Sequence, residues 1–277
     1  MTASPIPAER PPRPSATLVV VRDALSGIEV LLMRRAERGD QNSGAWVFPG
    51  GLVDAGDRDA HACCTGLDDA AASVRLGLAQ GGLDFYIAAL RECFEESGLL
   101  LAQDEGGEFV DLHGGAGAEV GGWRGPLHRG ERRIAELCRE AGLKLAVDRL
   151  AYFSHWITPV GRAKRFDTRF FVVVAPASQA AAADGNEVVE HAWLRPADAL
   201  ARGIELKLMT PTLKSLEVLQ RFDSAQAVMA WARGLTDIGL NMPRMGLSSQ
   251  GLRPVTPDEL AWDEIGRRRR SESTGSR

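Results

Sequence analysis

From Asp84 to Leu100 the chain reads Asp-Phe-Tyr-Ile-Ala-Ala-Leu-Arg-Glu-Cys-Phe-Glu-Glu-Ser-Gly-Leu-Leu, and its residue pattern confines the stretch to a helix with two unlike faces. Ile87, Leu90 and Phe94 recur at i, i+3 and i+7, the spacing of a stripe that packs into a core. Glu92, Glu95 and Glu96 fall three and four residues apart, which on a helix brings three carboxylates onto one face. The spacing predicts a helix over about 84–97, with Gly98 suited to its C-terminus. Like charges this close repel, so the acidic face is either stabilised by a cation or left unpaired at some cost. A plain solvated face is the competing explanation, because acidic residues on a helix commonly have no other role. If a cation is held, oxygen-only ligands suit a hard divalent ion, Mg2+ or Mn2+, better than zinc.

Upstream, Trp46-Val47-Phe48-Pro49-Gly50-Gly51-Leu52-Val53-Asp54-Ala55-Gly56-Asp57 is an apolar run broken by a Pro-Gly-Gly turn and then by an acidic loop. Two adjacent glycines let the backbone approach a ligand closely and present carbonyls or amides to it. The two segments together resemble the Nudix hydrolase signature, Gly-x5-Glu-x7-Arg-Glu-U-x-Glu-Glu-x-Gly-U, with U aliphatic. Its second half stands as Arg91-Glu92-Cys93-Phe94-Glu95-Glu96-Ser97-Gly98-Leu99, with Cys93 at an aliphatic position. Its first half stands as Gly51 followed by Asp57 where the pattern has Glu. Between Asp57 and Arg91 lie 33 residues (58–90) where the pattern allows seven, so the signature is split by an insertion of 26. An insertion at a loop-to-helix junction can leave the flanking geometry intact, because loop-closure cost grows slowly with length.

A split signature is similar to that of a Nudix subgroup including the peroxisomal coenzyme A diphosphatases. Further elements look like the same subgroup: His155-Trp156-Ile157-Thr158-Pro159, Arg165-Phe166-Asp167-Thr168-Arg169-Phe170-Phe171, and Thr210-Pro211-Thr212-Leu213. The subgroup's Leu-Leu-Thr-x-Arg-like element for coenzyme A is not evident; Leu31-Leu32-Met33-Arg34-Arg35 stands in its place. The resemblance covers roughly residues 16–220. It implies an α/β class, with a mixed, twisted β-sheet sandwiched between α-helices. It also implies a Mg2+- or Mn2+-dependent hydrolase that splits the pyrophosphate of a nucleotide-derived small molecule, such as CoA or acyl-CoA. ADP-ribose, NADH and dinucleoside polyphosphates are the alternative substrates. A non-catalytic nucleotide-sensing module is the alternative of another class, although such modules typically lose the glutamates retained here.

Residue by residue, the resemblance implies that Glu95 and Glu96 are metal ligands and that Glu92 is a base or a further ligand. Gly50 would offer its carbonyl to the metal. Arg91 would brace the site by pairing with Asp57; because Asp is one methylene shorter than Glu, Asp54 on the same loop is the other candidate. A carboxylate from a later loop often completes such sites, and Glu187 and Glu190 are the candidates. Asp167 either lines the pocket or pairs with Arg165 or Arg169. Trp46 and Phe48 are read as core, His155 as a packed histidine, and Arg34 and Arg35 as either phosphate-facing or solvated.

The rest of the chain sets bounds. A net charge of −4 gives no electrostatic footprint for nucleic acid, and no apolar stretch reaches membrane-span length. Cys63, Cys64, Cys93 and Cys138 lack zinc-type spacing, and a reducing cytoplasm is the simplest home for them. Residues 1–14, rich in proline, are expected to be a disordered leader. Residues 15–235 are expected to form the Nudix domain, with insertions at about 58–83 and 103–148. The first is expected to be helical, with apolar Val74, Leu76 and Leu78. The second is expected to be a Gly-rich loop over 103–126 followed by a helix ending near Gly142; it could cap the cleft. Either insertion could also build a homodimer interface. Strands are predicted at 16–21, 28–33, 46–48, 151–158, 169–175 and 188–194, and helices from Pro196 and from Thr210. Residues 236–277 are expected to be a C-terminal extension, largely disordered towards the end, where Arg267–Arg270 and Ser271–Ser276 form a tail without core-forming residues.

Overall fold

The strand β1 (Arg13–Ala24) organises the molecule. A computed structural model describes residues 11–38, 42–160, 162, 164–248 and 251–255. Leu18, Val19, Val20 and Val21 of β1 are all buried, so both faces of the strand are covered. Alternate residues point to opposite faces: Ala16, Leu18 and Val20 enter one core and Val19 and Val21 another. β1 turns back into β2 (Gly27–Arg35), pairing Val21 with Val30 through Ala24 with Gly27. The two strands then part, and the next segment fills the gap between them. β3 (Trp46–Val47) pairs with Met33 and Arg34 of β2, and β4 (Gly50–Leu52) pairs with Ser15–Thr17 of β1.

After β4 comes a 3-10 helix (Ala55–Cys63), then α1 (Asp69–Leu76) and α2 (Gly82–Ser97). The second insertion carries β5 (Ala102–Gln103), α3 (Gly115–Gly121), α4 (Arg124–His128), α5 (Ile134–Ala141) and β6 (Lys144–Leu145). The chain returns to the sheet with β7 (Ala151–Ile157), β8 (Phe166–Val174) and β9 (Val188–Leu194). β8 lies parallel to β1 and antiparallel to β7; β9 lies antiparallel to β2. α6 (Pro196–Ala201), α7 (Thr210–Leu219) and α8 (Ala225–Arg233) follow, then β10 (Leu240–Asn241) on the edge of β7 and a hairpin of β11 (Arg244–Ser248) with β12 (Gly251–Val255).

The sheet is mixed and lies between helices, as expected. Ile87, Leu90 and Phe94 of α2 pack with Ala16, Leu18 and Val20 on one face. Leu216 and Leu219 of α7 and Val228 of α8 pack with Val19 and Val21 on the other. Both insertions thicken the α2 layer: Leu76 of α1 and Ile134, Leu137 and Cys138 of α5 join the same core. Among the described residues no helix is long and apolar enough to cross a membrane.

Several boundaries differ from the expectations. β1 begins at Arg13, so the expected leader over 1–14 is too long; Arg13 and Pro14 sit in register with Phe166 and Asp167. The Pro14 carbonyl accepts from Val53 N, so a residue without an N–H still joins two strands. Residues 1–10 and 256–277, including the arginine run, lie outside the described residues. Of the apolar residues of the first insertion, Leu76 is buried and Val74 is 80% exposed. The Gly-rich stretch 103–126 forms α3 and the start of α4, because Val120 and Leu127 are drawn into the core. Gly117 makes that approach: a Cβ there would lie 2.2 Å from the Asp111 carbonyl oxygen. α8, absent from the sequence reading, is capped by Ser224, whose side chain accepts from Ala227 N. The extension expected after 235 contributes β10 and the β11–β12 hairpin.

Leu90 is fully buried against the sheet. Leu90→Ala is expected to destabilise the fold by about 2–5 kcal/mol, whereas exposed Val74→Ala should stay within about 0.5 kcal/mol of the parent. Urea denaturation of both variants measures this; equal losses would contradict the placement of the two faces.

Candidate functional site

β4 and α2 build the site between them. The Gly50 backbone has φ 156°, and a Cβ there would lie 2.4 Å from the Ala16 carbonyl oxygen. That neighbour is backbone and cannot give way, so only glycine lets β4 lie so close to β1. The Gly50 amide donates to Glu96 Oε2 at 2.9 Å. A Cβ on Gly51 would lie 2.4 Å from Glu92 Cδ, so the Glu92 carboxyl rests directly on the bare Gly51 backbone. The two glycines thus receive two of the three carboxylates of α2.

Arg91 ties these pieces together. Its Nε donates to Asp57 Oδ1 at 2.7 Å and its Nη2 to Asp57 Oδ2 at 3.2 Å, a two-pronged contact. Nη2 also donates to the Leu52 carbonyl at 2.8 Å, and Nη1 to Glu92 Oε1 at 2.8 Å and Glu95 Oε1 at 3.3 Å. The shorter Asp therefore does pair with Arg91 across the inserted residues. It can do so because the 3-10 helix brings its backbone inward: Asp57 is 1% exposed. Asp54 takes a different job. It caps that helix, accepting from Gly56 N, while Asp57 Oδ2 accepts from Asp54 N in return.

The acidic face is not solvated. Glu96 is only 2% exposed and Glu95 is buried as well. Burial pushes the Glu92 carboxyl up to about 7, helped by the Glu95 charge and opposed by Arg91. Burial likewise raises Glu95, and raises Glu96 well above the usual carboxylate range, with Glu92 and Glu187 adding repulsion. Each group gains from a positive charge arriving among them. The donor set is all oxygen, which fits a hard divalent cation.

Glu187 and Glu190 separate. Glu187, just before β9, adds its charge to both Glu95 and Glu96 and lies 3.5 Å from Arg35 Nη2. Glu190 pairs instead with Arg34 Nε at 3.0 Å. Asp184, which the sequence reading passed over, shapes the loop: its Oδ1 accepts from the backbone N–H groups of Asn186, Glu187 and Val188. Asp184-Gly185-Asn186, four residues ahead of the strand, is an Asx-turn signal that could have found it. Asp167 pairs with Arg169 and, at 2.7 Å, with His155; both partners together hold its carboxyl below the usual range despite burial. His155, Arg169, Ala16 and Gly51 lie in one register row across β7, β8, β1 and β4. Trp46 and Phe48 are core residues, as expected.

A second acidic group, His61, Asp69 and Asp84, has ligand atoms within 4.8 Å of one another at the start of α2. Its atoms already serve the protein. Asp69 accepts from Gly81 N and Leu83 N, and Asp84 is held by His61 at 2.6 Å and Arg58 at 3.0 Å.

A mixed sheet whose strands part around a Gly-Gly turn, facing a helix of inward carboxylates braced by Arg91, is the arrangement of a Nudix domain. Residues 75–219, more than half of the chain, match the family described as the NUDT19 Nudix domain, and the chain belongs to that family. The match begins within the first insertion, so the Gly50–Asp57 half of the site rests on geometry. The chain is 28% identical to the acyl-coenzyme A diphosphatase NUDT19 of Xenopus laevis over 63% of its own length and 54% of the relative's. It thus spans about half of that protein. It is 29% identical to the Gallus gallus counterpart, over 75% of this chain and 67% of the relative, and 27% identical to the Homo sapiens one, over 84% and 72%. A crystal structure of a NUDIX hydrolase from Alicyclobacillus acidocaldarius superposes with a TM-score of 0.68 at 27% identity, covering 84% of this chain and all of that one.

Removing one partner of a buried ion pair strands the other's charge. Asp57→Ala is therefore expected to cost about 3–5 kcal/mol of stability, read by chemical denaturation. A loss below 1 kcal/mol would mean that Arg91 finds full compensation in Glu92 and Glu95.

Proposed function

We propose that this protein is a divalent-cation-dependent Nudix pyrophosphohydrolase acting on a nucleoside diphosphate-linked substrate, with CoA or acyl-CoA as the preferred substrate class. The observation that carries the reading is the burial of Glu92, Glu95 and Glu96 in one group with Glu187 nearby, each of the three α2 carboxyls raised above its ordinary range. Carboxylates are gathered against their own repulsion only where something positive offsets it, and Arg91 is already shared among Asp57, Glu92 and Glu95. The substrate class follows from the names of the curated relatives and from the split signature.

In this reading Glu95 and Glu96 hold Mg2+ or Mn2+, with the Gly50 carbonyl as a further ligand and Glu187 completing the set. Such an ion, when bound, neutralises phosphate charge, lowers the pKa of water and aligns it with the leaving group. Glu92 is the base or an additional ligand; Arg91 fixes its Oε1 and Gly51 seats its carboxyl, so its position is set before substrate arrives. Gly50 N–H plays the same part for Glu96. Arg91 itself stays clear of the reaction as a brace that keeps the β4 turn, the 3-10 helix and α2 in register. Hydrolysis of CoA would break the bridging P–O bond of its pyrophosphate and release adenosine 3',5'-bisphosphate and 4'-phosphopantetheine. One Nudix domain, running from β1 through α8 and including both insertions, would carry this activity.

A panel of CoA, acyl-CoA, ADP-ribose, NADH and a dinucleoside polyphosphate, each with Mg2+ or Mn2+ and with chelator, tests the reading. Release of adenosine 3',5'-bisphosphate from CoA, abolished by chelator, is expected. Turnover of ADP-ribose without turnover of CoA would overturn the substrate class. Glu96→Gln, nearly isosteric, should retain the fold and lose activity by at least about 100-fold; unchanged turnover would sink the assignment. Gly51→Ala, whose methyl group collides with the Glu92 carboxyl, should lower kcat while thermal stability changes by less than about 2 kcal/mol.

A further inference from the structure

The second insertion reaches back to the site through one arginine. Arg124 stands at the start of α4, and Leu127 in the same helix is buried in the core. Arg124 Nε donates to the Glu95 carbonyl at 2.9 Å and Nη2 to the Glu96 carbonyl at 2.6 Å. These are backbone oxygens in the last turn of α2, where carbonyls lack helical partners and a cation is favoured. They belong to the two residues whose side chains form the acidic group. Gly98, at φ 74°, leaves room for the guanidinium: a Cβ there would sit 3.2 Å from Arg124 Nη1.

The same guanidinium holds a second piece of the site. Nη2 also donates to the Ala182 carbonyl at 2.7 Å, and Ala182 N–H donates to the Ser97 carbonyl. One turn along α4, His128 Nε2 lies 3.5 Å from Asp184 Oδ2. Asp184 in turn takes the backbone N–H of Glu187 at 3.0 Å. From Arg124 and His128, an unbroken chain of polar contacts runs to both carboxylate-bearing segments, the end of α2 and the loop before β9.

We propose that Arg124 is a positioning residue that fixes the separation between Glu95 and Glu96 on one side and Glu187 on the other, so that the inserted helix α4 sets the affinity of the site for its divalent ion. The proposal rests on the reading of those carboxylates given above. Arg124 touches neither ion nor substrate in this role. It acts through carbonyls it shares between two elements that are otherwise linked at this end by the Ala182–Ser97 hydrogen bond.

The test uses the full chain and two readouts: binding of Mn2+ alone, followed by the electron paramagnetic resonance signal of the free ion, and steady-state hydrolysis of the best substrate of the panel. Arg124→Ala is expected to weaken Mn2+ binding and lower kcat by about 10- to 100-fold each, the range for outer residues that orient metal ligands, with KM little changed. Arg124→Lys keeps the charge but offers no planar fork, and should fall between the two. Arg129→Ala, which removes an exposed pair with Glu131 at the end of α4, should match the parent. A purely structural cap predicts something else: a lower Tm for Arg124→Ala and Arg124→Lys with Mn2+ affinity and kcat unchanged, and that result overturns the proposal. Where the alanine variant fails to fold, the lysine variant decides by the same criterion. If the parent protein itself neither binds Mn2+ nor hydrolyses any substrate, the reading of the site falls and the proposal with it; if the parent does both and the variants match it, the proposal alone falls.

Discussion

The guanidinium of Arg91 is the contact on which the site's geometry depends. It spends its donors on Asp57, the Leu52 carbonyl, Glu92 and Glu95, and so joins the 3-10 helix, the end of β4 and two turns of α2 at one point. A planar fork can do this where an ammonium cannot, because its donors diverge at fixed angles. Buried ion pairs are often poor stabilisers, since desolvation offsets attraction. What this one contributes is position. Without it, β4 would keep the Gly50–Glu96 hydrogen bond and the 3-10 helix its contacts with Asp84, but nothing polar would tie all three elements at one point, and apolar packing tolerates sliding; with it, the carboxylates of α2 have one arrangement relative to the Gly50–Gly51 backbone.

The glycines supply the other half of that constraint. At Gly50 the obstacle to any side chain is the backbone of β1, and at Gly51 it is the Glu92 carboxyl. The first requirement belongs to the sheet and the second to the site. They fall on adjacent residues because β4 occupies the place where β1 and β2 part, so its backbone is a strand partner along its edge and the floor of the acidic group on its face. The mutual repulsion of Glu92, Glu95 and Glu96 is thereby confined to a place where rigid backbone prevents the carboxyls from swinging away.

How much of this the sequence disclosed varies with the range of each interaction. The helix bearing the carboxylates was legible because its apolar stripe and its acidic face both obey a period of 3.6 within one segment. The positions of the main strands were legible from β-rich runs and turn residues, and the helices opened by Pro196 and Thr210 from prolines in their first turns. The Asp57–Arg91 pair was only half legible: the residues could be named, but whether a short Asp could span the gap depended on a 3-10 helix that turns Asp57 inward, and nothing within a few residues of Asp57 announces how far. Glu187 and Glu190 could not be separated, since both flank or occupy one strand, and the choice rests on Arg34 engaging Glu190. α3, α4 and Arg124 were invisible. Glycine-rich sequence has poor helix propensity, and there Val120 and Leu127 form helix because a core formed by distant residues receives them.

That last failure bears on why a signature can be split at all. Insertion of a segment between two halves of a site costs little in loop-closure entropy, provided the ends are re-anchored. Here the anchors are explicit. Asp54 and Asp57 cap the 3-10 helix at the insertion's start. Asp69 accepts from Gly81 and Leu83 N–H groups at its end, where α2 begins. Arg133, from the second insertion, reaches Asp59 in the first at 2.7 Å, and Thr65 N–H donates to the Leu145 carbonyl. The two insertions therefore brace each other and share the core of α2 instead of hanging from it as flaps. With both ends of α2 held, its start by the first insertion and its last turn by Arg124 of the second, the helix that carries the carboxylates is supported by the very segments that interrupt its signature.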